Sequence, residues 1–370
     1  MQIDTVKIGV ISLIIFVIIC IIIYIYKKVT YVSTYCKTIN KVYSDMGKVR
    51  SINLDDANFK DYLLRDYYIK SAYNCCAIGD FKNTFVDLCA LKQVIRQGVR
   101  VLDFQIYSID DKPVIAVSTI PCDYTDNENE KQCYLIKESY NSIDFSDAMK
   151  IIATYCFAGD TCPNPNDPLF LHFRIMSVNK HMYQDMTDII NEHFATKMLD
   201  KEYSYEYNGH NLGNVPISNL VNKVIISVDK NNPYFEETPL VELVNICSNS
   251  MFMRTLREND VKYTPDYAEL LEYCKKNLAL EMPDLSIYDN NVSAQIGFKY
   301  GIQMVAMCYQ NFDSNLEFYE TFFAEAGFAF VLKPAELRYV PVTVEAPTPQ
   351  NPDLSYADRE YKADYYTFKI

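Results

Sequence analysis

The sequence predicts an α/β protein: a closed (β/α)8 barrel of TIM type, preceded by one N-terminal transmembrane helix. Three observations carry this. Short apolar runs alternate with amphipathic ones from about residue 65 to 335, and repeated strand–helix alternation implies a parallel sheet. Seven or eight strand-like runs fall within about 270 residues, which suits one barrel. Residues 8–26 form an apolar run without a charge.

At 19 residues, the N-terminal run matches one bilayer crossing. The competing reading is a secretion signal, which needs a basic start, a shorter apolar core and a small-residue cleavage site. Here Asp4 offsets Lys7, and the exit reads Tyr24-Ile25-Tyr26-Lys27-Lys28. A retained anchor over 1–28 is expected, with Tyr24 and Tyr26 at the interface. Lys27, Lys28, Lys37, Lys41, Lys48 and Arg50 follow the run, and only Lys7 precedes it. The positive-inside rule then makes this a single-pass protein with a cytosolic body and an outside or lumenal N-terminus. The 12 cysteines are scattered and show no C-x-x-C pair. Reduced thiols are expected in that compartment, the alternative being a lumenal body with disulfides.

Residues 29–60 are polar and mixed, and read as a stalk. In the body (61–340), 67–72 reads as a strand. The run 86–97 reads as a helix, with Leu88, Leu91, Val94 and Ile95 on one face and Gly98 as its stop. Strands are expected at 101–107, 114–118, 169–176, 224–228, 278–282, 304–309 and 329–332. Helices are expected at 145–157, 182–194, 240–247, 265–276 and 315–324. The acidic stretch 123–130 lacks the spacing and central glycine of an EF-hand loop, and reads as a solvated insertion. After Lys333 come Pro334, Pro341, Pro347, Pro349 and Pro352, so 341–370 reads as an extended tail along the body. A doubly wound open sheet is the alternative fold. Its nucleotide-binding forms carry a glycine-rich first turn, and no G-x-G-x-x-G occurs among only 10 glycines.

Charge narrows the function classes. Lys plus Arg total 35 against 48 Asp plus Glu, a net charge of -13. Phosphate-backbone recognition normally leaves a basic footprint, so a nucleic-acid partner is not expected. With 4 histidines, any imidazole chemistry falls to His172, His181, His193 or His210. His172 lies mid-strand and reads as a core residue. His181 and His193 lie on or beside a polar helix, and His210 in a turn. Cys75-Cys76 has no nearby histidine to form a thiolate pair.

Three segments in order resemble the eukaryotic-type phosphoinositide-specific phospholipase C barrel. The first is Ile69-Lys-Ser-Ala-Tyr-Asn74 with Gly98-Val-Arg-Val-Leu-Asp103 and Lys112-Pro-Val-Ile115, similar to the opening of that family's X half. The second is Pro168-Leu-Phe-Leu-His-Phe-Arg174, similar to the next X-half strand. The third is Gly301-Ile-Gln-Met-Val-Ala-Met307 with Gly327-Phe-Ala-Phe-Val-Leu-Lys-Pro334, similar to the end of the Y half. The X half would fall at about 61–230 and the Y half at about 240–340. In compactness the chain resembles forms of the family in large DNA viruses.

The resemblance implies a phosphodiester attacked by the inositol 2-hydroxyl. It also implies two histidines and a calcium ion held by one Asn and three carboxylates. This chain departs from that pattern at almost every position. Tyr73 and Val117 stand where the two catalytic histidines belong; a tyrosine near pKa 10 is a poor base, and valine transfers no proton. Asn74 is retained. Asp103 replaces a Glu, Gln105 an Asp and Arg174 a Glu, so calcium is expected only if this degraded site still binds it. Ser227 and Asp229 replace two headgroup lysines, and Leu280 and Met282 an Arg and a Tyr. Arg174 has two readings: a cation standing in for calcium, as in metal-independent bacterial relatives, or a buried ion pair with Asp103.

Three functions follow. The leading one is a membrane-anchored phospholipase-C-like protein, catalytically dead or impaired, that binds or scaffolds at a lipid surface and meets the bilayer and phosphoinositides. The second is an active phosphoric diester hydrolase on phosphatidylinositol lipids, with Arg174 in place of calcium. The third is a purely structural membrane protein.

Overall fold

The computed structural model describes residues 2–119, 136–341, 347, 348, 351 and 358–369. The acidic stretch 123–130 and Pro349 and Pro352 lie outside them. Eleven strands form the main sheet. They are β1 (Tyr67–Ala72), β2 (Val101–Ile109), β3 (Lys112–Ala116), β4 (Ile143–Asp144), β5 (Leu169–Ile175), β6 (Val224–Asp229), β7 (Ile246–Ser248), β8 (Met253–Arg257), β9 (Leu278–Met282), β10 (Met304–Met307) and β11 (Phe330–Leu332). Eight of them run in the order β7-β6-β5-β2-β1-β10-β9-β8, and every pair in that path is parallel. Its two ends, β7 and β8, are neighbours without a shared ladder. The result is a nearly closed eight-stranded parallel barrel.

Apart from the part-buried β8, the barrel strands are buried on both faces, inside by opposing strands and outside by helices, and so read as largely apolar runs. Lys70 shows which face is which. Its Nζ reaches the Gln97 carbonyl and the Glu320 carboxylate, both at 2.7 Å, outside the barrel. Alternation then turns Ile69 and Ser71 inward. By register the inward set continues through Val101, Asp103 and Gln105 on β2, and through Phe170, His172 and Arg174 on β5.

Several expectations are corrected. The strand expected at 114–118 is real but lies outside the barrel: β3 pairs antiparallel with β2 and β4 as a hairpin flap. The last strand also fails to join the barrel, because β11 runs antiparallel beside the start of β1. The helix expected at 240–247 is a 3-10 turn, Pro239–Leu243, followed by β7. Pro239 starts the turn. Asn245 then ends it by bonding Ile226 N–H at 2.8 Å and the Tyr203 carbonyl at 2.9 Å, which hands the chain to the sheet. Strand β8 was not anticipated at all, since Met-Arg-Thr-Leu-Arg carries too little apolar signal.

The first helix runs unbroken over Gln2–Val42, so the expected stalk is helical for its first 14 residues, 29–42. Lys7–Val42 contains a stretch long and apolar enough to cross a membrane, and that stretch buries nothing inside the protein. The second half packs on the barrel. Tyr31, Tyr35 and Tyr43 donate hydroxyl bonds to the carbonyls of Ile78, Gln310 and Tyr309 at 2.9, 3.4 and 2.8 Å. Just beyond the helix, Gly47 N–H meets the Arg96 carbonyl and Arg50 N–H the Gly327 carbonyl, before the strands begin. Followed backwards, the helix climbs from the N-terminal barrel face to the C-terminal one. The apolar span therefore leaves on the side of the barrel mouth.

One pair departs from the expectation of reduced thiols: Cys36 of this helix and Cys89 form a disulfide, while the other eight described cysteines are free. Residues Tyr339–Ile370 make a second unit. The expected extended tail ends instead in a hairpin of β12 (Glu360–Ala363) and β13 (Tyr366–Lys369).

Candidate active-site mouth

In barrels of this class the reactive groups sit at the C-terminal strand ends. Here β1 ends into Tyr73 and Asn74. Asn74 adopts φ 43°, a left-handed conformation that Asn tolerates. The turn sends its backbone N–H onto the Asp103 carboxylate at 3.1 Å. Asp103 also accepts from Arg174, through Nε at 2.9 Å and Nη2 at 2.6 Å. The same Nη2 reaches Asn74 Oδ1 at 2.7 Å. The guanidinium lies 4.6 Å from the Tyr73 ring centre, within cation–π range. Tyr73, Asn74, Asp103 and Arg174 thus form one buried cluster, with Arg174 5% exposed and Asp103 0%. Burial alone would raise the Asp103 carboxyl. The Arg174 guanidinium and the His172 ring outweigh it and hold the carboxyl well below the ordinary range.

A second line of bonds leaves Asp103. His172 Nδ1 is 2.8 Å from Asp103 Oδ1, and His172 Nε2 is 2.8 Å from Ser248 Oγ. The connectivity is that of a nucleophile, base and orienting acid. All three residues have 0% exposure, so no substrate reaches Ser248 Oγ. The chain of bonds braces Asp103 against β7.

The remaining expected positions stand apart. Gln105 faces Arg174 in register, but its amide is spent on the Ser118 backbone, accepting at 2.8 Å and donating at 3.2 Å. Val117 is buried behind β3, its carbonyl taking the N–H groups of Glu138 and Ser139. Ser227 sits deeper, its hydroxyl near Met253 Sδ at 3.8 Å. Asp229 accepts from Asn249 at 2.7 Å and from Asn231 N–H at 3.0 Å. Leu280 and Met282 are buried apolar residues of β9. His181 and His193 lie on the helix Lys180–Phe194, and His210 bonds the Tyr207 carbonyl on an exposed turn. None of these three is on a barrel strand.

Calcium wants several carboxylate and carbonyl oxygens turned to one point. At the four compared positions Asp103 is the one carboxylate, and its oxygens and Asn74 Oδ1 are all directed at the guanidinium. The donor set does not fit the ion. Sequence reasoning missed Arg257, the last residue of β8. Its Nη1 donates to the Pro283 carbonyl at 2.7 Å and approaches the Tyr73 hydroxyl at 3.4 Å. The alternation of Met253, Thr255 and Arg257 was its only signal.

A nearly closed parallel barrel with a polar cluster at its C-terminal mouth defines the class as a TIM-type barrel. The comparisons narrow this. Residues 234–336 match the family model of the phosphatidylinositol-specific phospholipase C Y domain. The crystal structure of S. officinalis PLC21 superposes with a TM-score of 0.57 at 20% identity, over 75% of this chain and 38% of that one. The structure of L. pealei PLC21 gives 0.57 at 19% identity with the same coverage, 75% and 38%. The chain therefore spans about two-fifths of the length of these proteins. No curated protein matches it in sequence. The chain thus has a phospholipase-C-like barrel fold, and its residues 234–336 are similar to the Y half of that family.

Proposed function

We propose that the protein is a membrane-tethered phospholipase-C-like barrel without phosphodiester-cleaving chemistry, acting as a lipid-proximal binding or scaffold protein. The observation that carries this is the Arg174–Asp103 pair. The cation is neutralised by a carboxylate and locked by Asn74, so neither group is free to hold calcium or to stabilise a developing phosphoryl charge. Tyr73 and Val117, where a proton-transfer pair would stand, are buried at 4% and 1% exposure.

The membrane reading rests on the first helix. Its apolar span leaves on the mouth side, so a bilayer crossed by that span would face the mouth. The lysines that follow the span support a cytosolic barrel by the positive-inside rule. At the rim, Arg257 offers a half-buried cation to an anionic phosphoinositide headgroup. The test is inositol phosphate release from mixed vesicles containing phosphatidylinositol, with and without Ca²⁺, beside vesicle flotation. Flotation without release is the expected result. Release that disappears in Arg174→Ala would overturn the inactive reading.

A further inference from the structure

The first helix is mounted on the barrel by few bonds. Besides the hydroxyls of Tyr31 and Tyr35 and that of Tyr43 just after it, Asn40 pairs with Gln93 and Ile39 is buried. One link is covalent. Cys36 joins Cys89, in the first turn of the helix Leu88–Arg96, with Cα atoms 5.9 Å apart, in the usual range for a disulfide.

This pair differs from the other described cysteines. Cys75, Cys76, Cys156, Cys162, Cys247, Cys274 and Cys308 are buried, and Cys20 lies in the apolar span. Cys36 and Cys89 are half-buried, beside Asp87, which caps the helix by accepting Cys89 N–H at 2.8 Å. Unlike the buried cysteines, both residues of this pair keep part of their surface exposed.

Its position connects it to the mouth. Cys89 lies just past the loop that opens with Tyr73 and Asn74. A narrow seam between that loop and the first helix is lined by Tyr35, Ile39, Tyr73, Asn74 and Gln93. Asn74 Nδ2 is buried there without a hydrogen-bond partner. Anything that loosens the helix from the barrel loosens the wall behind Tyr73 and Asn74.

We infer that Cys36 and Cys89 form a reversible covalent clamp, which fixes the barrel mouth to the membrane-leading helix and is opened and closed by thiol–disulfide exchange. To close it, one thiolate attacks a small-molecule or protein disulfide and displaces a thiolate. The second cysteine then attacks the mixed disulfide and displaces the other. The pair loses two electrons and two protons, and the exchanging disulfide becomes two thiols. On the cytosolic side proposed above, disulfides are transient and redox-sensing, so the clamp is open at rest and closes on oxidation. The inference rests on the reading of the first helix as a tether.

The test uses the full chain in phosphatidylcholine–phosphatidylinositol vesicles equilibrated with glutathione buffers. Peptide mass spectrometry without reductant reads the Cys36–Cys89 cross-link, and hydrogen exchange reads residues 29–42 and 73–97. The expected result is a cross-link that titrates reversibly with the buffer. Exchange in both segments rises tenfold or more on opening, and Cys36→Ser matches the open state in every buffer. If that variant does not fold, reduction of the unaltered protein gives the same reading. Two thiols that stay alkylatable in oxidised glutathione would overturn the clamp, as would exchange indifferent to reduction. Flotation is scored separately: a cross-linked protein that fails to float overturns the tether and the role assigned to the clamp, but not the cross-link.

Discussion

Arg174 donates twice to Asp103, at 2.9 and 2.6 Å, in a barrel interior where Asp103 has no exposed surface. A buried carboxylate this well paired is costly to orphan. Arg174→Ala should therefore lower unfolding stability by about 3–5 kcal/mol. The check is a denaturant titration, with Asp103→Asn and the double variant closing a cycle. A double variant as unstable as the sum of the singles would show that the two residues do not act as a pair.

Restoring imidazoles should not restore cleavage. Tyr73→His with Val117→His puts two proton-transfer groups at the positions where the proposed alignment expects them, but leaves the cation bonded to Asp103 and Asn74. No inositol phosphate release above background is expected from vesicles at any calcium concentration. Calcium-dependent release would show that the metal site is intact.

Glu281 makes a prediction about pH. Both its carboxyl oxygens are buried without a partner, packed against Gly297 under the helix Ala294–Lys299. Burial, with Glu258 and Asp284 adding to it, pushes its pKa up to about 8. The folded state holds a proton that the unfolded state releases near 4.5. Stability is thus full below about pH 4.5 and is lost as pH rises towards 8, by on the order of 4 kcal/mol. Glu281→Gln should be more stable than the unaltered chain at pH 8 and should converge with it near pH 4. Parallel melting-temperature curves for the two proteins across that range would refute this.

The cross-link Cys36–Cys89 closes a loop with a sequence separation of 53. Chain entropy assigns such a loop about 4 kcal/mol of stabilisation. Reduction should shift the denaturant midpoint down accordingly, while Cys36→Ser should be insensitive to reductant. Equal midpoints with and without reductant would mean the cross-link constrains nothing in the unfolded chain.

The bracing bonds beyond Asp103 give a smaller effect. Ser248→Ala leaves His172 Nε2 buried without its partner and should cost about 1–3 kcal/mol. Because Ser248 has no exposed surface, vesicle binding should not change. Altered lipid affinity would show that the relay communicates with the mouth.

The barrel was legible from alternation because a strand buried on both faces is mostly apolar, and β1, β5, β6 and β9 are short runs of that kind. The apolar helix through 8–26 was legible because the run is unbroken and carries no charge. The residues at positions 73, 117 and 174 were likewise visible, because they are matters of residue identity. Short elements escaped. β7 has three residues and β8 carries Arg and Thr, and at that length pairing partners rather than local propensity decide the conformation. Whether 114–118 entered the barrel was also undecidable, since a hairpin strand and a barrel strand share one pattern. The disulfide and the Arg174–Asp103–His172–Ser248 bonds join residues 53 to 76 positions apart. No local periodicity records such a distance. By itself the sequence determined the barrel architecture, the long apolar helix and the scarcity of histidine. Only the tertiary structure decided where Arg174 spends its charge and which way the mouth faces, because both depend on which distant groups the closed barrel brings within hydrogen-bond reach.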